Sequence, residues 1–350
     1  MSLRSLKLFI HKLTHWEYWP YQVVYAPISL LWIYYAIRAR SLFFFNAANP
    51  SIRNGGFVME SKRNIYNLIP QQFYAQTTYI LQNTSFADLK GILKDSGLQY
   101  PVIAKPDIGL RGNAVKKIHS ESELHEYNKR AGFDYLIQEF IDLPKEIGVF
   151  YVRYPGEDRG KITGIVYKEF LTVTGNGISS TRELLNQTPR FQFQLKALQR
   201  EYGDQLDRVL EKGKRLTLVP YGSHARGARF TDCSHMANDA LTEVINNICT
   251  QVKGFYYGRL DLMYNTAEEL ENGENFMVVE INGAMSEPTH IYDPGHSLWF
   301  AWKEVARHIT YMYEISRVNH HNKGIPYLNH KSGFRELYAH HVQNRKIAGF

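Results

Sequence analysis

Two acidic stretches near residue 270 contain the residue types that bind a hard metal ion. Asp261 lies in the otherwise apolar run GRLDLMYN, and Glu280 and Asn282 lie in FMVVEING. Because side chains alternate along a strand, Glu280 and Asn282 should point to one face, and Asp261 joins them if the two strands are neighbours. Such oxygen ligands suit Mg²⁺ that is also bound by nucleotide phosphates. Burying carboxylates among apolar neighbours is costly without a cation, which favours a metal site over solvated strand ends.

Basic side chains at two other places could bind phosphate. Arg259 lies two residues before Asp261, so it should face the same side and could hold a phosphate or a developing oxyanion with two hydrogen bonds. Lys105 ends the run VIAKP, and a glycine-containing loop, DIGLRGN, follows at 107–113. A lysine beside such a loop can bind phosphates through its charge and the backbone N–H groups. The order, with the lysine first and no GK[ST], is not that of a Walker loop, and on its own this segment would be better interpreted as a surface turn.

The elements that must position these residues form a mixed pattern. Apolar runs and helix-capping signals predict strands and helices without strict βαβ alternation, so we expect an α+β fold. Strands are predicted at 100–106, 134–141, 147–154, 161–173, 256–264 and 275–281. Helices are predicted at 85–93, 120–130, 190–212, 236–253, 296–318 and 334–346.

The order of these motifs resembles the ATP-grasp superfamily, including D-alanine–D-alanine ligases and the ATP-grasp part of cyanophycin synthetases. The motifs are KP, the glycine loop, IQEFI, GRLD and VEING, and the resemblance covers about residues 57–293. It implies two α+β lobes that clasp ATP, with two Mg²⁺ ions as further cofactors. It also implies a ligase that activates a carboxylate as an acyl phosphate and joins it to an amine.

The resemblance implies a role for individual residues. Arg259 and Lys105 would be catalytic, acting on the acyl phosphate and the ATP phosphates, and Asp261, Glu280 and Asn282 would be the metal ligands. The nucleotide would be held by phosphate-binding Lys62 and Lys105, the lid loop with Gly109, Arg111 and Gly112, the adenine hinge of Gln138, Glu139, Phe140 and Ile141, and the ribose-binding Glu146.

Three further residues are open to two interpretations each. Lys168 either faces the nucleotide or is a surface lysine. His224 and Arg226, in GSHARGARFTD, are either near the substrate or are solvated loop cations. The chain also departs from the family's pattern. Only about 60 residues precede Lys62, whereas many relatives have a sizeable N-terminal α/β domain there, so a substrate site inherited from the family is not expected. Gln138 replaces the acidic residue that the family often has at this hinge position.

The N-terminal segment is unusual, because residues 18–37 contain no charge and have basic residues on both sides. The segment is borderline in length for a membrane span, and Pro20 and Pro27 interrupt it. Its tryptophans and tyrosines suit the headgroup layer, so residues 16–40 could bind a membrane surface. The alternatives are a true span, or packing on the protein's own core or on a second subunit, which would make a homodimer.

Composition narrows the class of protein further. A net charge of +7 favours anionic partners, but no recognisable RNA or DNA module is present, so no nucleic-acid role is expected. The two cysteines allow neither a disulfide framework nor a zinc pattern, which fits a reducing cytoplasm, with attachment to the inner face of the membrane as an option.

These observations together predict an ATP- and Mg²⁺-dependent carboxylate–amine ligase. The acid and the amine are not identifiable from the sequence. The alternatives are an ATP-grasp kinase acting on a small molecule or lipid, and a non-catalytic nucleotide-binding scaffold at a membrane. The predicted regions are the N-terminal hydrophobic segment 1–55, the first part of the ATP-grasp region 56–100, a small ATP-binding lobe 101–170, a large lobe with the metal site 171–320, and a C-terminal tail 321–350.

Overall fold

The structure is a computed structural model that describes residues 3–109, 112–219 and 221–350. The strands in these ranges are β1 (Thr77–Ile80), β2 (Val102–Pro106), β3 (Lys116–Ile118), β4 (Tyr135–Glu139), β5 (Lys145–Val152), β6 (Lys161–Glu169), β7 (Leu171–Thr174), β8 (Arg215–Val219), β9 (Arg229–Asp232), β10 (Tyr257–Tyr264) and β11 (Phe276–Asn282). The helices are α1 (Leu3–Thr14), α2 (Tyr21–Ala39), α3 (Lys62–Tyr66), α4 (Phe86–Ser96), α5 (Glu121–Arg130), α6 (Thr181–Leu185), α7 (Pro189–Gln192), α8 (Leu195–Tyr202), α9 (Asp239–Gln251), α10 (Ala267–Glu271), α11 (Leu298–Lys323) and α12 (His330–Ala348).

The strands of the described chain form three antiparallel sheets. A four-stranded sheet has the order β1-β4-β2-β3, a five-stranded sheet has the order β11-β10-β5-β6-β9, and β7 pairs with β8. Helices α4 and α5 pack on the four-stranded sheet through Leu89 and Leu124, which are fully buried. The mixture of helices and antiparallel sheets confirms the predicted α+β class.

Helix α9 covers one face of the five-stranded sheet. The Asn238 side chain caps the helix by accepting a hydrogen bond from the Leu241 N–H, at 2.9 Å. Leu241, Ile245 and Ile248 recur at helical spacing, and all three are fully buried against the sheet. Alternate residues of the strands therefore face this core, and the residues between them face away from it.

Two elements that were predicted to be continuous are each divided in the structure, so these predictions are wrong. The stretch 161–173 is not one strand, because the chain leaves the five-stranded sheet after Glu169 and continues as β7 in a separate two-stranded sheet. The stretch 190–212 is not one helix, since Gly203 ends α8 with a left-handed φ of 52° and a 3₁₀ turn follows. The last predicted helix is longer than expected and forms α12.

The uncharged N-terminal segment forms a continuous helix that packs on the protein's own core. Helix α2 passes through Pro27 without a break, and its Tyr35 ring stacks on Tyr313 of α11 at 4.3 Å. The Trp302 indole of α11 donates a hydrogen bond to the Val24 carbonyl at 2.7 Å. Leu30, on another side of α2, is 71% exposed, so only part of the helix is buried.

No helix of the described residues is both long enough and apolar enough to cross a membrane.

The five predicted regions stay a prediction, but the sheets divide the chain at other points. Strand β1, within 56–100, belongs to the four-stranded sheet with β2 and β4. Strands β5 and β6, within 101–170, belong to the five-stranded sheet with β10 and β11. The change from one sheet to the next therefore falls between Glu139 and Lys145.

Candidate functional site

The predicted acidic residues meet on one face of the five-stranded sheet. Strands β10 and β11 are antiparallel neighbours, with Asp261 opposite Glu280 and Arg259 opposite Asn282. Directly opposite residues of an antiparallel pair point to the same face, with Cβ atoms about 5 Å apart. The expectation that the two strands are neighbours is confirmed. It brings two carboxylates, an amide and a guanidinium together on the face away from α9.

The charges of this group are tightly paired with one another. Arg259 donates to both oxygens of Asp261, with its Nε 2.8 Å from Oδ1 and its Nη2 3.1 Å from Oδ2. The Lys168 Nζ lies 3.0 Å from Asp261 Oδ1, and the Lys62 Nζ lies 3.0 Å from Glu280 Oε1. Burial alone would raise the pKa of Asp261, but the positive charges of Arg259 and Lys168 lower it to about 2. Lys62 similarly outweighs burial and lowers the pKa of Glu280.

The side chains in this group fit a magnesium ion bound together with a nucleotide. Among the described residues, no cluster of three or more His, Cys, Asp or Glu could hold a metal ion by itself. The group offers two ionised carboxylates and the Asn282 amide oxygen, which are hard ligands. Magnesium typically takes one or two carboxylates from the protein and completes its shell with water and substrate phosphates. Asp261, Glu280 and Asn282 are therefore the residues that would hold it.

A backbone irregularity turns a carbonyl toward Lys105. The register of β10 and β11 shifts between Asp261 and Leu262, so that Val279 is an extra residue in its strand. The Val279 carbonyl accepts hydrogen bonds from the Tyr66 hydroxyl at 2.5 Å and from the Lys105 Nζ at 3.3 Å. Lys105, on β2 of the four-stranded sheet, thus reaches across to β11 of the five-stranded sheet.

Lys105 is buried among neutral partners. Its Nζ donates to the Tyr66 hydroxyl at 2.8 Å and to the Gln138 Oε1 at 2.7 Å. Burial lowers the pKa of Lys105 to about 7; the neighbouring charge of Glu280 opposes this and that of Lys62 adds to it. A phosphate that entered this space would favour the charged form of Lys105 and raise its pKa.

Lys62 is held in place by the glycine loop itself. Ser61 caps α3, and its hydroxyl donates to Asp107 Oδ1 at 2.9 Å, while the Lys62 N–H donates to the Asp107 carbonyl at 3.1 Å. The Lys62 Nζ also donates to the Gly109 carbonyl at 3.3 Å. Lys62 therefore connects the loop to Glu280, and burial, which would lower its pKa, is outweighed by that carboxylate.

The remaining part of the loop approaches the segment after β8. Gly112 has a left-handed φ of 72°, and an added Cβ there would lie 2.9 Å from the Tyr221 ring. Arg111, which was predicted to lie in the lid, is outside the described residues.

The predicted ribose-binding carboxylate is part of a buried cross-strand pair. The Lys168 Nζ donates to Glu146 Oε1 at 2.8 Å, and the Gly222 N–H donates to Glu146 Oε2 at 2.9 Å. A Cβ at Gly222 would lie 2.3 Å from the Lys168 Cδ, so this close approach requires glycine. Lys168 has a side-chain exposure of only 3%, so it is not a surface lysine.

One cavity of about 1350 Å³ contains nearly all of the predicted residues. Its lining includes Lys62, Lys105, Gly109, Gly112, Gln138, Glu139, Phe140, Ile141, Glu146, Lys168, His224, Arg259, Asp261, Glu280 and Asn282. Of the predicted residues in the described ranges, only Arg226 is not in this lining, and its Nε faces the Tyr221 hydroxyl at 3.4 Å. His224 is not a free loop cation, since its Nε2 lies 2.8 Å from Glu17 Oε2.

Sequence reasoning missed several polar residues of the cavity. Glu60 lines it and accepts a hydrogen bond from the Gly283 N–H at 3.3 Å. Burial, together with the charge of Glu280, raises the pKa of Glu60 to about 8. Glu287 accepts from the Tyr25 hydroxyl at 2.5 Å, and Glu17 binds Arg190. In the sequence, only Glu60 could have been linked to the site, because it lies two residues before the predicted phosphate-binding Lys62.

Solved structures of several enzymes are similar to this chain. A bifunctional glutathione synthetase from Pasteurella multocida is 14% identical over 72% of this chain and 35% of that chain, with a TM-score of 0.38. A D-alanine–D-alanine ligase from Bacillus anthracis is 14% identical over 75% of this chain and 68% of that chain, with a TM-score of 0.41. A carboxyaminoimidazole ribonucleotide synthase from Aspergillus clavatus, complexed with ATP, is 10% identical over 64% of this chain and 44% of that chain, with a TM-score of 0.38.

All three are ATP-grasp enzymes. This is the superfamily that the sequence motifs resemble. The chain spans about a third of the length of the glutathione synthetase and less than half of the synthase. No family model and no curated protein matches the chain. At these identities and TM-scores the similarity says nothing about the chemistry of the site, which depends on the side chains described above.

Proposed function

We propose that this protein is an ATP- and Mg²⁺-dependent ligase that joins a carboxylate to an amine through an acyl phosphate. The observation that carries the proposal is the register of β10 and β11, which sets Asp261 opposite Glu280 and Arg259 opposite Asn282. Lys62 and Lys105 reach the same place from two other elements. Cations for phosphates and oxygen ligands for a metal thus share one cavity.

The charged side chains of the site match the charges of the proposed ligand. The carboxylates of Asp261 and Glu280 complement a divalent cation, and the cations of Arg259, Lys62 and Lys168 complement phosphates. When bound, magnesium would neutralise phosphate charge and orient the terminal phosphoryl group. The work left to the protein is positioning and charge stabilisation, as in other phosphoryl transfers.

The apolar end of the cavity suits the base of the nucleotide. Ile103, Val115, Phe140, Met263 and Val279 line it near the predicted hinge. Ligand pockets are typically apolar with a few well-placed polar groups, and this end has that character. Adenine would lie here, with its phosphates toward Lys105 and Lys62.

In the proposed reaction, the carboxylate oxygen of the substrate attacks the terminal phosphorus, and ADP leaves. Arg259 and Lys105 stabilise the negative charge on the transferred group. The amine then attacks the acyl carbon, phosphate leaves, and the amine gives up a proton. Glu60 lines the same cavity with a pKa raised to about 8, which suits a group that accepts a proton near neutral pH.

Phosphorus NMR of ATP and Mg²⁺ with the protein and fractionated cell extract tests this proposal. ADP and free phosphate that depend on an extract fraction, and that vanish in Glu280→Gln, are the expected result. ADP with a new phosphorylated compound and no free phosphate would instead mean a kinase. AMP and pyrophosphate would contradict the acyl-phosphate chemistry. ATP binding without turnover in any fraction would favour a nucleotide-binding scaffold.

We also propose that the enzyme works in the cytoplasm on the inner surface of a membrane. Leu6, Phe9, Ile10 and Leu13 form one stripe of α1 and are 41–54% exposed. Lys7 and Lys12 lie on the same helix, which has no acidic residue. A basic amphipathic helix of this kind can lie in the headgroup layer with its apolar face buried.

Flotation of the full-length protein with vesicles that contain anionic lipid tests the membrane proposal. The protein should float, and the double variant Phe9→Ser/Leu13→Ser should not. Leu81→Ser/Ile178→Ser is the matched control, because these residues are also exposed apolar side chains but lie elsewhere, and it should float like the wild type. Failure of the wild type to float contradicts the proposal.

A further inference from the structure

The cavity is larger than a nucleotide requires. Its volume is about 1350 Å³, whereas pockets for one small molecule usually measure about 300–1,000 Å³. Besides the hinge residues, its lining includes aromatic and apolar side chains of the N-terminal segment. We call this part the aromatic chamber and define it by its lining residues Trp16, Tyr25, Ile28, Trp32, Met285 and Met312.

The wall of the aromatic chamber is built by fixed contacts. The Trp16 indole donates to the His296 carbonyl at 3.0 Å, and its ring stacks on Tyr292 at 5.5 Å. The Trp32 ring packs against Phe57 at 5.4 Å, and Ile28 is only 8% exposed. The chamber is therefore formed by ordered side chains that are anchored to other elements.

The carboxylates on the chamber wall already have partners. Arg190 donates to both oxygens of Glu17, at 2.9 and 2.7 Å, and Glu17 also meets His224. Glu287 accepts from Tyr25 at 2.5 Å. These pairings make the wall well suited to an apolar ligand body, because such a ligand takes no hydrogen bond away from them.

The polar end of the chamber is at Arg259. The Arg259 Nη1 donates to the Glu287 carbonyl at 3.3 Å, so the guanidinium lies between the metal-side carboxylates and the chamber wall. A cation at the end of an apolar chamber is the arrangement that receives an acid head with a hydrocarbon body.

We propose that the aromatic chamber binds the hydrocarbon body of an amphipathic carboxylic acid whose carboxylate lies at Arg259. This rests on the proposed function, since that acid would be the substrate that the enzyme activates. Residues from Trp16 to Trp32 thus supply part of the wall that would hold this substrate. The apolar outer side of α2, with Leu30 71% exposed, adjoins the same wall.

Calorimetric titration of the full-length protein with hexanoate, octanoate, decanoate and dodecanoate, below their micelle concentrations and without nucleotide, tests this proposal. Each methylene buried in the chamber should tighten binding about three- to fourfold, until the chamber is filled. A separate titration with MgATP reports on the nucleotide site.

Two tryptophan variants of neighbouring residues make the test specific. Ser29 lines the cavity, so Ser29→Trp should fill part of it and weaken decanoate binding at least tenfold. Leu30 points outward, and Leu30→Trp should bind decanoate like the wild type. A flat chain-length profile, or an equal loss in both variants, would overturn the chamber proposal. If the affinity still depends on chain length but MgATP does not bind, the chamber proposal stands and the proposed function is contradicted.

Discussion

Replacing Lys105 by methionine should stabilise the ligand-free protein and at the same time weaken ATP binding. Burial lowers the pKa of Lys105 from 10.5 to about 7. At about 1.4 kcal/mol for each tenfold change in the acidity constant, the charged form costs the fold at most about 5 kcal/mol. Methionine has a similar length and no charge, so it removes this cost.

Part of that gain is offset by lost hydrogen bonds. Gln138 Oε1 and the Tyr66 hydroxyl lose their donor, at 2.7 and 2.8 Å in the wild type, and a buried acceptor left without a partner costs about 1–3 kcal/mol. We therefore expect a net stabilisation of about 1–2 kcal/mol at pH 7. A lysine whose folded pKa lies below its unfolded pKa destabilises the fold fully below pH 7, and the effect fades as the pH rises toward 10.5. The advantage of the variant should therefore shrink between pH 7 and pH 10.

The same change removes a cation from the phosphates. A hydrogen bond to a charged group contributes about 1.5–3 kcal/mol, so MgATP should bind about 10- to 150-fold more weakly. Urea unfolding at pH 7 and pH 10 measures the stability, and calorimetry measures the affinity. The exposed Lys253→Met is the control, and it should change neither quantity. A variant that is less stable at pH 7 and binds MgATP as tightly as the wild type would refute this reasoning.

Three further predictions concern neighbours of this site. Gln138→Glu sets a carboxylate beside the Lys105 ammonium and should raise the pKa of Lys105 above its wild-type value of about 7. The loss of MgATP affinity with rising pH should therefore begin at a higher pH than in the wild type. An unshifted pH profile would argue against the contact between the two side chains. Glu60→Gln should raise the melting temperature by an amount that grows between about pH 5 and pH 8 and stays constant above pH 8. The reason is that a carboxyl group whose pKa is raised in the folded state stabilises the fold less as the pH rises toward that pKa. A gain in melting temperature that does not depend on pH would contradict the burial of Glu60. Gly148→Ala sets a Cβ 2.9 Å from Asp261 Oδ1, so it should lower the free energy of unfolding by about 1–3 kcal/mol and weaken Mg²⁺-dependent ATP binding. Gly132→Ala is the control, because a Cβ at that position meets open space, and it should change neither quantity. Equal effects of the two variants would count against crowding at Gly148.

The sequence predicts that Asp261, Glu280 and Asn282 lie close together, because their placement follows from local rules. Strand alternation alone puts Glu280 and Asn282 on one face, and the apolar Ile281 between them identifies the opposite face as core. The strands around them were predicted for the same reason. Asp261 needed one further assumption, that β10 and β11 are neighbours, and the structure confirms it.

Features that depend on distant parts of the chain could not be predicted in this way. The bulge that turns the Val279 carbonyl toward Lys105 leaves no signal in the run FMVVEING. The pairing of His224 with Glu17 joins residues that lie 207 positions apart. Both depend on how elements pack together, and a single sequence does not encode that packing in a local pattern.

The N-terminal segment illustrates the same limit. Its uncharged aromatic composition is compatible with a membrane surface and with a protein core, and the proline at position 27 suggested an interruption. In the structure α2 continues through Pro27, because α11 supports it through the Val24–Trp302 and Tyr35–Tyr313 contacts. Tertiary packing thus outweighs the local helix-breaking tendency.

Trapping the activated acid with hydroxylamine tests the central claim most directly. Protein, MgATP, hydroxylamine and the active extract fraction should give a hydroxamate in a one-to-one ratio with ADP, and the signal should vanish in Glu280→Gln, because hydroxylamine replaces the amine that attacks the acyl phosphate. A phosphorylated product that survives hydroxylamine, or AMP in place of ADP, would contradict the account.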